Sequence, residues 1–255
     1  MAKDRIDLNS DIGESFGAYT IGLDDDVLKI ITSANIACGY HAGDHNTMYD
    51  TVETAKANGV GIGAHPGLPD LQGFGRRNIM VEPDDVYHFV TYQIGALKGF
   101  CQVHDARMNH VKAHGALYNM AATDAAMADA IARAVKNIDD DLILFGLSGS
   151  ELIRAGQHHG LTTASEVFAD RTYQANGTLT PRTDANAMIT DPDDAIEQVL
   201  HMIYDKHVVA VDGTTIAIEA DTVCVHGDNP HALKFVEQLR GRLTAEGIDI
   251  RRVGA

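Results

Sequence analysis

The 255-residue chain is 45% apolar and carries 36 acidic against 20 basic side chains, a net charge of −16 with histidine neutral; such a surface repels phosphate backbones and anionic membranes, which sets nucleic acid aside as a partner. The longest apolar run, residues 142–147, is far too short to span a bilayer, and the opening decapeptide lacks the apolar h-region of a secretory signal. Cys38, Cys101 and Cys224 show no paired spacing, so a cytoplasmic protein with reduced thiols is expected, of a length that suits one α/β barrel.

In chain order, apolar runs of strand length alternate with amphipathic stretches of helix length. The first strand is expected at 5–8 (RIDL), running into the polar loop NSDIGE (9–14). The second, at 35–38 (NIAC), runs into GYHAGDHN (39–46), after which NTMYDTVETAKANG has helical spacing. The third, at 60–64 (VGIGA), precedes HPGLPD (65–70) and the helical PDDVYHFVTYQIGALKGF. Strands at 110–113 (HVKA), 142–146 (LILFG) and 162–167 (TTASEV) lead to HGALYN (114–119), GLSGSE (146–151) and FADRTY (168–173).

Two segments interrupt that rhythm. Residues 170–190, with an Asn176–Gly177 turn signal, form a long excursion, and 207–220 alternates around Asp212–Gly213 as an inserted β-hairpin. Both are candidate contact surfaces for partner proteins. Asp191–Pro192 and Asn229–Pro230 each announce a helix with a cap and a proline. Ile196, Val199, Leu200 and Ile203 share one face of the first; Ala232, Val236, Leu239 and Leu243 share one face of the second. The last strands are expected at 222–226 (TVCVH), leading to HGDN (226–229), and at 248–253 (IDIRRV). The pattern predicts α/β architecture, a single parallel (β/α) barrel domain over 1–255 of seven or eight strands carrying the two inserted segments.

In such a barrel the loops after the strands gather on one face and hold the catalytic groups. The loops before the strands (KAN, NIDDD, QHHG, AEG) are bland, whereas His41, His45, His65, His114 and His226 follow strands and are expected to converge. The other eight histidines, such as His88, His104 and His158, are assigned to helices or helix-end loops and taken as surface. Asp11 with His41 and His45 forms an Asp, His, His set suited to zinc or another divalent ion with an open position for water. The alternative is that Asp44 caps a helix and His45 faces solvent.

SGSE (148–151) fits a capping box from Ser148 to Glu151 better than a nucleophile elbow. GVGIGA (59–64) fails as a dinucleotide fingerprint because a helix precedes it and its glycines lie inside the strand; no P-loop signature occurs. Lys112 is the most suggestive cation, since a lysine in a barrel strand needs a partner. Arg76 and Arg77 sit in a glycine-containing loop that could close over an anion, Arg77 being the better candidate for a surface ion pair. Arg171 and Arg182 bracket the excursion.

DLNSDIGES (7–15), NIACGYHAGDH (35–45), IGAHPGLPDLQGFGRR (62–77), VKAHGALYN (111–119), EVFADRTY (166–173), LTPR (179–182) and CVHGDN (224–229) together resemble, in order and over essentially the whole chain, the lactam-utilisation (LamB/YcsF) family. The resemblance implies an irregular, TIM-like, seven-stranded β/α barrel related to the polysaccharide-deacetylase fold. It also implies opening of 5-oxoproline (pyroglutamate) to L-glutamate, driven by ATP with Mg2+ and carried out with the separate B and C subunits of a 5-oxoprolinase. The family usually has proline where Ala113 stands, and it does not require histidine at position 45.

For that chemistry Asp11 is expected as base or metal ligand with His41 beside it, and His65 and His114 as donors to the reacting oxygen. Lys112, Arg171 or Arg182 would hold an anion, Asp170 and His226 would orient these groups, and Asn9 and Glu14 would complete the first-strand cluster. Two rival readings are a stand-alone metal-dependent amidohydrolase or deacetylase and a non-catalytic substrate-binding subunit.

Overall fold

The structure, a computed structural model, describes residues 5–227 and 229–255. Its first half runs β1 (Arg5–Ile12), α1 (Asp24–Val27), β2 (Ser33–Ala37), α2 (His45–Ala57), β3 (Gly61–His65), α3 (Pro83–Val103), β4 (Met108–Lys112), α4 (Gly115–Ala121) and α5 (Ala125–Ile138). The second half runs β5 (Ile143–Leu147), α6 (Glu151–His158), β6 (Thr163–Phe168), α7 (Pro192–Tyr204), β7 (His207–Val209), β8 (Thr215–Ala217), β9 (Thr222–Cys224), α8 (Pro230–Ala245) and β10 (Asp249–Ile250). Strands β1 to β6 pair in sequence, all parallel, and β9 pairs with both β6 and β1, closing a ring of seven. The short β10 adds to the start of β1, and β7 and β8 form the antiparallel hairpin expected at 207–220. Among the described residues no helix is long and apolar enough to cross a membrane.

Strand parity decides what faces where. On β1, Ile6, Leu8 and Ile12 join the apolar layer shared with the helices, while Asp7 bonds to the neighbouring β2 and β9 and Asn9 and Asp11 bond across the interior to Lys112 of β4. This interior is largely polar. Asp7 accepts hydroxyls from Thr32 (2.6 Å), Ser33 (2.8 Å) and Thr222. Burial pushes its carboxyl up to about 6, against the opposing pull of those hydroxyls. His110 Nε2 donates to Asn35 Oδ1 at 2.8 Å, reaching from β4 to β2 past β3. It passes because residue 63 is glycine: a Cβ there would lie 2.1 Å from His110 Nε2. Ile143, Phe145 and Ala164 form a separate small apolar cluster, and Phe145 stacks on His110 with centroids 4.2 Å apart.

Several expectations are corrected here. Strand β1 continues through Ile12, so Asn9 and Asp11 are strand residues rather than loop residues. His110 lies in β4 and is fully buried, not on the surface. The Ser148 capping box does not form: α6 starts at Glu151 after Ser150, and Ser148 Oγ accepts from the Glu219 amide at 2.9 Å instead. The Asp191 and Asn229 caps do form, each accepting from amides of the first helical turn. Asp228, in the HGDN loop, lies outside the described residues.

Candidate active site

The site begins at the C-terminal end of β1. Asp11 Oδ1 accepts from Lys112 Nζ (3.1 Å) and Asn35 Nδ2 (3.0 Å), and its Oδ2 lies 3.3 Å from His65 Nε2. Lys112, the last residue of β4, also reaches Asn9 Oδ1 (3.1 Å), Cys224 Sγ (3.2 Å) and Glu166 Oε1 (2.8 Å). Burial pushes the Asp11 carboxyl up, but His65 and Lys112 outweigh it and hold the group well below the usual carboxylate range. Burial likewise pushes Lys112 down, and Asp11, Cys224 and Glu166 outweigh it, so the ammonium persists. Each charge survives in the interior because the others surround it.

A cavity of about 910 Å3 opens beside this centre, lined in part by Asp11, Glu14, His65, Lys112, His114 and His226. His226 Nδ1 donates to Asp170 Oδ2 at 3.1 Å. Burial disfavours its charged form, but Asp170 and Cys224 outweigh burial and raise it well above the ordinary histidine value. Arg171 and Arg182 line the cavity too. Arg171 commits its guanidinium to the carbonyls of Thr180 (2.6 Å) and Ala187 (3.3 Å), bracing the excursion. Arg77, also in the lining, pairs with buried Asp70.

Three histidines and a glutamate pack at one side. His65 Nδ1 donates to the Lys112 carbonyl at 2.8 Å, and His114 Nε2 donates to the Phe74 carbonyl at 2.8 Å. The remaining nitrogens, His65 Nε2 and His114 Nδ1, face each other at 2.9 Å, and His65 Nε2 faces Asp11 Oδ2 as well. His41 is fully buried and stacks on His114 with centroids 3.6 Å apart. Its Nε2 is 3.3 Å from Glu14 Oε1, and neither ring nitrogen has a hydrogen-bond partner. Burial, with His114 and His65 nearby, lowers His41 well below its ordinary value; burial and His65 bring His114 to about 3.

Of the residues expected at the site, Asp11, Glu14, His65, Lys112, His114, Arg171, Arg182 and His226 meet around the cavity. His41 lies behind His114, Asn9 sits beneath Lys112, and Asp170 reaches the cavity through His226. His45 does not join them. It is exposed as the first residue of α2, whose cap is Asp44, accepting from the Asn46 and Thr47 amides at 2.9 Å. The Asp11–His41–His45 metal set is thus replaced by two others whose ligand atoms lie within 4.8 Å: Glu14, His41, His65 and His114, and Asp11, Cys224 and His226. The second already holds a cation, the Lys112 ammonium. Sequence reasoning missed Glu166, Asn35 and Cys224, all inside strands; their signal was a polar side chain at an inward-facing strand position.

The family described as LamB/YcsF matches residues 6–255. A protein of Halalkalibacterium halodurans, named as the A subunit of 5-oxoprolinase, is 64% identical over 249 residues, covering 98% of this chain and 97% of its own. The crystal structure of a lactam utilization protein from Thermus thermophilus superposes with a TM-score of 0.91 at 42% identity, covering 97% of this chain and 99% of its own. The catalytic domain of a peptidoglycan N-acetylglucosamine deacetylase from Eubacterium rectale, 11% identical, shares the fold with a TM-score of 0.51 over 100% of this chain and 90% of its own.

Proposed function

This chain belongs to the LamB/YcsF family, and from that membership we propose that it supplies the ring-opening site of an ATP-dependent 5-oxoprolinase, converting 5-oxo-L-proline to L-glutamate with separate B and C subunits. The observation that carries the proposal is the Asp11–Lys112–His65 centre set in a cavity whose wall also bears Arg182 and the protonated His226. Such a cavity suits a small anionic substrate that must also be attacked. The Halalkalibacterium relative, by its 5-oxoprolinase name, adds weight from outside the geometry.

A lactam is a stable amide, and ATP supplies its activation. Transfer of the γ-phosphoryl group of Mg2+–ATP to the lactam oxygen releases ADP and makes the ring carbon a better electrophile. A water adds to that carbon and loses a proton; the C–N bond breaks as the ring nitrogen takes one up. A second water releases phosphate, leaving L-glutamate. Asp11, its carboxyl held well below the usual carboxylate range, orients the attacking water by accepting from it, and Lys112 steadies Asp11. His226, held by Asp170, and Arg182 offer positive charge to the substrate carboxylate or the phosphoryl oxygens. With no P-loop signature in the chain, the nucleotide is held in another way by this chain or on a surface shared with or supplied by the partner subunits. A stand-alone metal-dependent amidohydrolase is the second reading, favoured by the Glu14–His41–His65–His114 cluster.

Glutamate release from 5-oxoproline tests both readings, with and without ATP, for the chain alone and with B and C. Release only in the presence of ATP and both partners is expected. Silence with competent partners overturns the first reading, and ATP-independent release of amine or acid by the chain alone establishes the second.

A further inference from the structure

We propose that Glu14, His41, His65 and His114 form a binding site for one divalent transition-metal ion of the zinc class. The inference stands apart from the lactam reading, because it concerns the isolated chain without substrate.

It starts from a crowded contact. With Nδ1 of His65 and Nε2 of His114 both committed as donors to backbone carbonyls, the facing nitrogens meet 2.9 Å apart, and His65 Nε2 also lies 3.3 Å from Asp11 Oδ2. Nitrogens converge at that distance in a buried site around a positive centre, a proton or a metal ion. His41 adds a second, independent sign. It is wholly buried, and neither of its ring nitrogens finds a hydrogen bond, a costly state for an imidazole with no ligand.

The spacing fits a metal. Ligand atoms about 2.0–2.1 Å from a tetrahedral zinc stand roughly 3.3–3.4 Å from one another. Here the separations are 2.9 Å for His65 Nε2 to His114 Nδ1, 3.3 Å for His41 Nε2 to Glu14 Oε1, and 3.6 Å for His114 Nδ1 to Glu14 Oε1. The carbonyls of Lys112 and Phe74 do for His65 and His114 what outer partners do in metal sites, fixing tautomer and ring orientation. Backbone hems the rings in: a Cβ on Gly75 would lie 2.7 Å from both His41 Cβ and His114 Cδ2. Three imidazoles and one carboxylate suit zinc, cobalt or nickel far better than magnesium, which takes oxygen ligands. Glu14, His65 and His114 line the cavity, so the ion would border it next to Asp11. Water on such an ion loses its proton near neutral pH, which would let a base as weak as Asp11 suffice.

The test is direct binding to the purified, chelator-treated chain, by calorimetry with Zn2+ and by visible absorption with Co2+. One equivalent of Zn2+ with sub-micromolar affinity is expected, together with the strong visible bands of four-coordinate Co2+. Glu14→Gln, which keeps the shape of the side chain, and His114→Ala should each weaken Zn2+ at least tenfold, while His45→Ala leaves it unchanged. Far-UV circular dichroism identifies any variant that fails to fold, and Glu14→Gln then carries the test. A folded chain that binds neither ion overturns the proposal, as does binding lost with Cys224→Ser but kept in Glu14→Gln. So does an NMR signal for a single proton shared between His65 and His114 at saturating Zn2+.

Discussion

The barrel interior holds two polar regions that treat their atoms differently. Toward the start of the strands, Asp7 receives three hydroxyls, Asn35 donates to Asn9 and accepts from His110, and Asn9 donates to Thr222. Donor meets acceptor at each of these contacts. Toward the strand ends, the His65 and His114 nitrogens meet at 2.9 Å, and neither ring nitrogen of His41 has a hydrogen bond. Lys112 joins the regions, touching Asn9 on one side and Asp11 on the other. Complementarity within the chain marks a network that holds the barrel together, and its absence at the His41 ring is what the proposed metal ion would make good.

Asp11→Asn puts the upper region to its hardest test. In the assembled enzyme it should cut glutamate release by about 10²–10⁴-fold. The fold should survive, because Lys112 keeps the Glu166 carboxylate at 2.8 Å. Unchanged turnover with intact substrate affinity would reduce this chain to a passive binder and remove the distinction between the regions.

The lower region breaks differently. Gly63→Ala should leave the cavity chemistry in place yet destabilise the fold by about 1–3 kcal/mol, the usual cost of overpacking, because the new methyl meets His110, itself stacked on Phe145. Urea unfolding measures this. In a His110→Ala background most of the penalty should vanish; additive losses would mean that the clash is not its source.

The His226–Asp170 pair, at the cavity wall, should show in the pH dependence of stability. His226 is raised well above 6.5, so its contribution is complete below that value and is lost as pH rises through the folded value. Asp170 is lowered below 3.8, so its part is present above that value and is lost as pH falls through the lowered one. The stability difference between the parent chain and His226→Gln should therefore be large at pH 5–6 and shrink in alkali. A pH-independent difference would mean that packing, not charge, holds the pair.

How far the sequence revealed these regions follows from the same division. Asp11, His65 and His114 were legible because the strand-end rule of parallel barrels needs only strand order. His110, Glu166 and Asn35 were hidden because they sit within strands, where polar residues look like interruptions of an apolar run. RIDLNSDI contained the answer in its alternation, broken only at Ser10: apolar residues at 6, 8 and 12 toward the helices, polar ones at 7, 9 and 11 inward. Ending the strand at residue 8 discarded it. The barrel, the hairpin and the two proline-marked caps needed only local signals, whereas the stacking of His41 on His114 joins residues from two loops and leaves no local trace.

His45→Ala is the smallest effect and the cleanest control. Spacing alone pairs His45 with His41, four residues away on what looked like a shared helical face. The helix begins at His45 itself, so His41 precedes it in a loop, and the two side chains have different fates. One is wholly buried against His114 and the other is exposed. The cap that starts this helix belongs to Asp44 and does not depend on residue 45. Removing His45 should therefore change stability by no more than about 0.5 kcal/mol and leave turnover intact, measured by urea unfolding and glutamate release. A loss of activity comparable to that of His41→Ala would restore the i, i+4 pairing and place a reacting group outside the barrel mouth.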